Sequence, residues 1–310
     1  MTSASLIIPS RGGATRLPVL LGALAQQTHA DLEVVVVLDG DIDNSRAAAT
    51  AWTAHLDLTI VEFPDNRGRS AALNAGFETA RGDILIRCDD DLEPRPEHVA
   101  RHVAQHAAGP VGVIGLCPNV LPDTPYARVY GATRDAMFRR QAYAMPPDQR
   151  WRLWGANVSV RADTYRRIGP YDLAYRAYGF EDVDWGYRLH RDGIPILLDS
   201  ALEAPHHGAA TTTAIRARRA YHSGAARHTF ETLHGSAPLG AAGPPTGLWG
   251  RTVAATGTRL GPRGIERLAR LADALADPLP RYAAEKLVAF TVESAAVAGR
   301  HHPDETDSGF

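Results

Sequence analysis

The stretch ILIRCDDDLEP, Ile84 to Pro94, sets three consecutive aspartates directly behind a short apolar run. With Ile84, Leu85 and Ile86 buried in a strand, Asp89, Asp90 and Asp91 emerge together where that strand ends. Carboxylates this close repel one another, so solvent, a cation or a charged ligand must hold them. What else reaches the same edge decides which.

Working outward, SLIIP (Ser5–Pro9), LEVVVVLDG (Leu32–Gly40), LTIVEF (Leu58–Phe63), DILIRC (Asp83–Cys88) and VGVIGL (Val111–Leu116) read as strands, rich in β-branched residues and stopped by turn residues. Helical spacing separates them. Leu17, Leu20, Leu21 and Leu24 follow Thr15, with Pro18 tolerable in a first turn, and further helices are expected over Ala47–His55 and Ser70–Ala80. This βαβα order predicts an α/β fold, a doubly wound, mostly parallel sheet with helices on both faces. Ligands bind such sheets beyond the carboxyl ends of the strands. Pro9, Asp39 and Asp89–Asp91 all fall on that rim, a convergence worth more than any single motif.

The second half is less regular. Residues 117–150 look loop-rich, with a helix around Arg128–Ala144. WGANVSV (Trp154–Val160) reads as a strand, and YGFEDVDWGYRLHRDGIPILL (Tyr178–Leu198) as a loop, a helix stopped near Gly193, and a strand. Residues 211–230 are expected to be helical, 235–247 a Gly/Pro-rich linker, Gly264–Ala276 and Arg281–Ala298 two helices, and 301–310 a polar tail.

Composition narrows the function classes. The 310 residues are 45% hydrophobic and 22% charged with formal net charge -2, an ordinary globular balance without a basic field for nucleic acid or anionic membrane. Lys286 is the sole lysine among 33 Lys and Arg, so lysine chemistry is almost excluded and no Walker-type phosphate loop is present. Cys88 and Cys117 form no CxxC and read as reduced, buried thiols. No signal-like segment and no run near the roughly 18 apolar residues of a membrane span occur, giving a cytoplasmic soluble protein as the expectation.

RGGATRLP (Arg11–Pro18) resembles the Gly-rich loop of sugar-phosphate nucleotidyltransferases, which ends in Gly-Thr-Arg-Leu. It lacks the second pair of glycines and the lysine that family uses. A Gly turn leading into a Thr15-capped helix is the plainer reading; nucleotidyl transfer is the alternative activity, and a non-catalytic nucleotide-sugar binder a second.

Residues i and i+2 of an extended segment share a face, so Asp89 and Asp91 can point together while Asp90 turns away. One or two carboxylates with phosphate oxygens suit Mg2+ or Mn2+. An acidic turn capping the helix after Pro96 would read the same way in isolation. Position on the rim beside Asp39 favours the metal site.

With LIIPSR, VVVVLDG, DNRGRSAALNAGFETARGDILIRCDDD, WGANVSVR, GFEDVDWGYRLHRDG and HHG in this order, residues 5 to about 210 resemble the inverting family-2 glycosyltransferases of the GT-A fold. The resemblance implies a GT-A domain over 1–234, with a nucleotide-sugar half (1–116) and an acceptor half (117–234), followed by a helical extension over 248–300. It implies metal-dependent transfer from a nucleotide sugar, UDP-linked by expectation, to an acceptor hydroxyl on a small molecule, soluble glycan or peptide. Pro9 and Arg11 would line the nucleotide pocket, Asp39 would accept from the base imide, and Asn66, Arg69 and Asp90 would belong to the same nucleotide site. Asp89 and Asp91 form the DxD motif, Asp91 being the commoner metal ligand. The family usually carries an apolar or aromatic residue where Arg87 and Cys88 stand. Asp182 of the Glu-Asp pair would be the general base, with Glu181 binding acceptor or orienting the loop. Both residues equally suit a helix N-terminus. Trp154, Gly155, Asn157 and Trp185 would form the acceptor pocket, with Trp154 as core filler the alternative. Of His206 and His207 one would complete the metal shell, His207 being preferred because it abuts Gly208. The C-terminal helices could cover the acceptor site or mediate a homodimer.

Overall fold

The computed structural model describes residues 2–175, 179–240 and 246–305. Parts of the expected linker (241–245) and tail (306–310), and Tyr178 of the YGFED segment, lie outside the described residues.

One sheet of seven strands organises the chain: β1 (Ala4–Ser10), β2 (Leu32–Asp39), β3 (Asp57–Phe63), β4 (Ile84–Cys88), β5 (Gly112–Ile114), β6 (Asn157–Arg161) and β7 (Ile196–Leu198), in the order β3-β2-β1-β4-β6-β5-β7. All neighbours pair in parallel except β6, which runs antiparallel to β4 and β5. β1 and β4 are buried along their whole length, covered on both faces. The chain winds from β1 out to β3, then returns to lay β4 on the other side of β1. That reversal opens a crevice at the carboxyl ends of β1 and β4.

The helices between strands follow the apolar periodicity. α1 (Leu17–Leu24) buries Leu17, Leu20, Leu21 and Leu24. Thr15 does not cap it. The helix starts after Arg16 with no side-chain cap and Pro18 in its first turn, while the Ser45 hydroxyl accepts from the Gly13 amide (2.8 Å) and Asp43 from that of Ala14 (3.0 Å). α2 (Ser45–Thr50) starts earlier than the periodicity suggests because the Asp41 carboxylate accepts from the amides of Ser45 (2.8 Å) and Arg46 (3.1 Å). α3 (Arg69–Thr79) packs Ala72, Leu73, Gly76 and Phe77 inward, and α4 (His98–Gln105) buries His98, Val99 and His102. α5 (Ala132–Tyr143), α6 (Ala162–Ile168) and α7 (Glu181–Arg191) belong to the second half of the sequence.

The chain forms two compact units. The first comprises Met1–Val120, Phe138–Leu173 and Glu181–Gly208, and contains the whole sheet. The second comprises Leu121–Met137, Ala174–Phe180 and Ala209–Phe310. Its core joins α8 (Thr213–His234), α10 (Pro262–Leu275) and α11 (Arg281–His301) through small side chains such as Ala217, Ala220, Ala269, Ala284, Ala295 and Ala298. α9 (Gly247–Gly257) also packs against α11. Among the described residues no helix is long and apolar enough to cross a membrane.

Candidate active site

The carboxyl ends of β2, β1 and β4 bring the expected rim residues together. Pro9 is buried in β1, in register with Val37. Arg11 follows with its Nε buried and without a hydrogen-bond partner. β2 ends on buried Asp39, whose two oxygens accept the amides of Arg67 (2.6 Å) and Gly68 (2.9 Å). Gly68 holds φ 90°, a conformation other residues rarely adopt, and this lets its amide face Asp39. The Asn66 side-chain oxygen accepts from the same Gly68 amide at 3.0 Å. Asp39 thus fastens the loop that launches α3. Arg69, the first residue of that helix, sets its guanidinium 3.7 Å from Asp89 and 3.8 Å from Glu181.

The three aspartates answer their mutual repulsion in three different ways. Asp89 accepts from Arg87 Nε (2.8 Å) and Nη2 (3.2 Å). Asp90 turns to the other side, where Arg16 grips both its oxygens at 2.9 Å and the Ser10 hydroxyl donates at 2.5 Å. Burial raises the proton affinity of Asp90 by more than Arg16 and Ser10 lower it. This aspartate pins the loop after β1 rather than facing open space. Asp91 Oδ2 lies 3.1 Å from His206 Nε2, and its Oδ1 is buried with no partner. Burial would raise the Asp91 carboxyl, but the contact and charge of His206, with Arg69 and Arg16, hold it below the ordinary value.

His206, not His207, meets Asp91. His206 forms isolated bridges to Leu92 and Asn119, and its neighbour points away, bonding Glu93 at 2.8 Å. His207, preferred in sequence for abutting Gly208, faces away from Asp91, since alternation in an extended segment sends consecutive side chains to opposite sides. The His206 Nδ1 faces Asn119 Oδ1 at 2.7 Å. With Nδ1 engaged there, Nε2 is the ring nitrogen turned toward the Asp91 carboxylate. Gly208 completes the cradle: a Cβ on it would sit 1.9 Å from Asp91 Oδ2 and 3.0 Å from His206 Nε2. Among the described residues no three His, Cys, Asp or Glu side chains gather as a self-sufficient metal site. A divalent ion at Asp91 and His206 would take its remaining ligands from phosphate and water.

Glu181 and Asp182 open α7, where carboxylates suit the positive end of the helix. Both Glu181 oxygens are buried without a hydrogen-bond partner; burial and the Asp182 charge push its carboxyl up to about 7. Asp182 receives a hydrogen bond from Arg87 Nη1 and retains 17% side-chain exposure, against 2% for Glu181. Its proton affinity is raised by burial, against the pull of Arg87.

Of the expected acceptor residues, Trp154, Trp185 and Asn157 are buried. Trp185 is 1% exposed, stacks with Trp154, Tyr165 and Tyr171 at centroid distances of 5.2, 6.0 and 5.7 Å, and donates to the Gly169 carbonyl. Neither indole offers a free face to a sugar; together they build an aromatic core. A Cβ on Gly155 would meet the Leu153 carbonyl oxygen at an ordinary 3.7 Å. Asn157 is buried on β6, donating to the Leu202 carbonyl (2.7 Å) and meeting His102 Nε2 at 3.0 Å. His102 and His106 both contact the Ser159 hydroxyl at 2.8 Å. Asn157 is therefore part of a buried polar seam between β6 and α4.

Residues 5–169 match the sequence model of glycosyl transferase family 2. The chain belongs to this family. It is 31% identical over 236 residues to validoxylamine A glucosyltransferase of Streptomyces hygroscopicus, covering 65% of this chain and 55% of that one. It is 36% identical over 185 residues to undecaprenyl-phosphate 4-deoxy-4-formamido-L-arabinose transferase of Pseudomonas fluorescens, covering 58% and 48% respectively. The chain thus spans about half the length of these relatives. The mannosyltransferase PcManGT of Pyrobaculum calidifontis, solved with GDP-Man and Mn2+, superposes with TM-score 0.64 at 21% identity, covering 96% of this chain and 87% of that one. The family-2 chain has the GT-A fold its sequence implies.

Sequence reasoning passed over three features. Arg87 interrupts an apolar strand, a charge that must find partners. Arg16 and Ser10 hold Asp90, a pairing no local pattern announces. His98, His102 and His106 recur every four residues, a helical stripe that could have been read as one buried face.

Proposed function

We propose that this chain transfers a glycosyl unit, with inversion, from a nucleotide-diphosphate sugar to an acceptor hydroxyl, aided by Mn2+ or Mg2+. The observation that carries the reading is the unpartnered Asp91 Oδ1 beside His206 Nε2, in a cradle left open by Gly208. A carboxylate with one oxygen unpartnered and an imidazole held from behind by Asn119 suit a divalent ion that shares a diphosphate. Such an ion, when bound, neutralises charge on the departing diphosphate.

The chain's own groups supply the rest. Arg69, partly exposed and near Asp89, is placed to meet phosphate oxygens. Asp39 keeps lone pairs beyond those given to the Arg67 and Gly68 amides, and the expected uracil imide would use one. Asp182, more accessible than Glu181, takes the proton of the acceptor hydroxyl as that oxygen attacks the anomeric carbon; the anomeric bond to the diphosphate breaks on the opposite face. Glu181 remains a sealed neighbour whose proton affinity near neutrality limits charge crowding beside Asp182. A small soluble acceptor fits the relative named for validoxylamine A.

Nucleotidyl transfer fares worse. The Gly13 and Ala14 amides that a triphosphate would need are already given to Ser45 and Asp43. The test is product analysis with a panel of nucleotide sugars and Mn2+. Release of nucleoside diphosphate, falling more than ~100-fold in Asp182→Asn with nucleotide binding retained, is expected. Wild-type turnover by Asp182→Asn would remove the base, and pyrophosphate release would reassign the reaction.

A further inference from the structure

Arg87 sits in the middle of the sheet, paired through the backbone with Ile7 on one side and Val158 on the other, and its side chain is 0% exposed. A guanidinium there is expensive unless every face is matched. Its Nε and Nη2 form a fork on the two oxygens of Asp89, 2.8 and 3.2 Å away. Its remaining arm, Nη1, donates to Asp182 Oδ1. Burial works against the charge, yet Asp182 and Asp89 together hold the proton on well above the usual arginine range. One rigid cation therefore joins the strand end carrying the aspartates to the first turn of α7, 95 residues later.

Charge balance alone would be met by any buried cation. The geometry does more. A planar fork fixed on Asp89 dictates where its third nitrogen points, and so where the Asp182 carboxylate stands. One Asp182 oxygen is committed to Arg87, which leaves the other to meet substrate. We infer that Arg87 is a positioning residue that holds Asp182 in register with the donor-side aspartates, an inference that rests on the base role given to Asp182.

Arg87→Lys tests this, because an ammonium keeps the charge but cannot fork Asp89 and reach Asp182 at once. With wild-type-like thermal unfolding, UDP binding in the presence of Mn2+ should stay within about threefold, while kcat falls about 100-fold, the scale of a misplaced catalytic group. In Arg87→Lys/Asp182→Asn, kcat should be no lower than in Asp182→Asn alone, since both act on one group. A kcat within threefold of wild type, multiplying losses in the double variant, or nucleotide affinity falling in step with kcat would each overturn the inference. Should Arg87→Lys not fold, Asp89→Asn serves instead. Loosening the fork should then lower kcat about tenfold with donor and Mn2+ saturating, and an unchanged kcat overturns the inference. If Asp182→Asn turns over normally, the base assignment has failed. If Asp182→Asn is inactive and Arg87→Lys is not, Arg87 alone has been misread.

Discussion

Lowering the pH from 7 to 5 should weaken the fold, and the amount follows from buried groups of opposite sign. Burial pushes His98 down to about 4; burial and the Arg161 charge do the same to His106. His102, fully buried beside His98, is held well below its ordinary value. A histidine whose folded pKa is depressed stays neutral in the fold while the unfolded chain takes up a proton below about 6.5. Its stabilisation is therefore complete above that value and lost as pH falls toward the folded pKa. For His98 and His106, each at about 4, this amounts to about 2 kcal/mol apiece between pH 7 and pH 5, and His102 adds a loss of the same sign. Glu181 acts the other way. Its carboxyl, raised to about 7 by burial and Asp182, takes up a proton in the fold before the unfolded chain does. It returns about 2 kcal/mol over the same interval. The net expectation is a loss, of more than about 2 kcal/mol from these groups, with a steeper loss in Glu181→Gln and a shallower one in His106→Gln. Urea unfolding at pH 7, 6 and 5, followed by tryptophan fluorescence, measures this directly. Stability that is flat or rises as pH falls would show that the α4–β6 seam is not the dry polar network described above.

Three other outcomes follow from the same geometry. Gly208→Ala should unfold like wild type, since the far end of Asp91 can move aside, yet its Cβ forces that carboxylate off its place by about 1 Å; Mn2+ affinity in a calorimetric titration with UDP should fall ~10–100-fold. Arg16→Gln strips a buried carboxylate of its fork and should cost about 1–3 kcal/mol in denaturant unfolding, discounted because Arg16 is a third exposed; Asp90→Asn in the same chain should recover most of the loss. At pH 8, where ionised Glu181 burdens the fold, Glu181→Gln should raise stability by on the order of 2–3 kcal/mol and Tm by several degrees while turnover drops. A lower Tm at pH 8 would mean that the Glu181 charge is solvated.

Strands β1, β2 and β4 were legible because burial on both faces leaves them runs of mostly apolar residues. The same runs placed Pro9, Asp39 and Asp89–Asp91 on one rim. Strand direction was not legible for β6, because WGANVSV looks the same whichever way it enters the sheet. The aromatic residues Trp154 and Trp185 sit beside polar neighbours in sequence, but only packing shows that each covers the face of the other. Asn157 likewise looked like a ligand-binding amide, while its partners, His102 and the Leu202 carbonyl, come from distant segments. Which of the adjacent histidines faces Asp91 was not legible, because alternation in an extended segment separates them without saying which side each takes. Arg87 carried a signal of its own, a charge inside ILIRC, but identifying Asp182 as its partner needed the fold.

In the proposed function Asp91 and His206 hold a divalent ion that shares a nucleotide diphosphate. Calorimetric titration of UDP, GDP, dTDP and CDP, with and without Mn2+, into the wild-type chain and Asp91→Ala tests it most directly. The account predicts binding that Mn2+ strengthens, UDP first among the four, and that disappears in Asp91→Ala. Binding indifferent to Mn2+, or unchanged by the loss of Asp91, would contradict it and leave the three aspartates as an acidic turn.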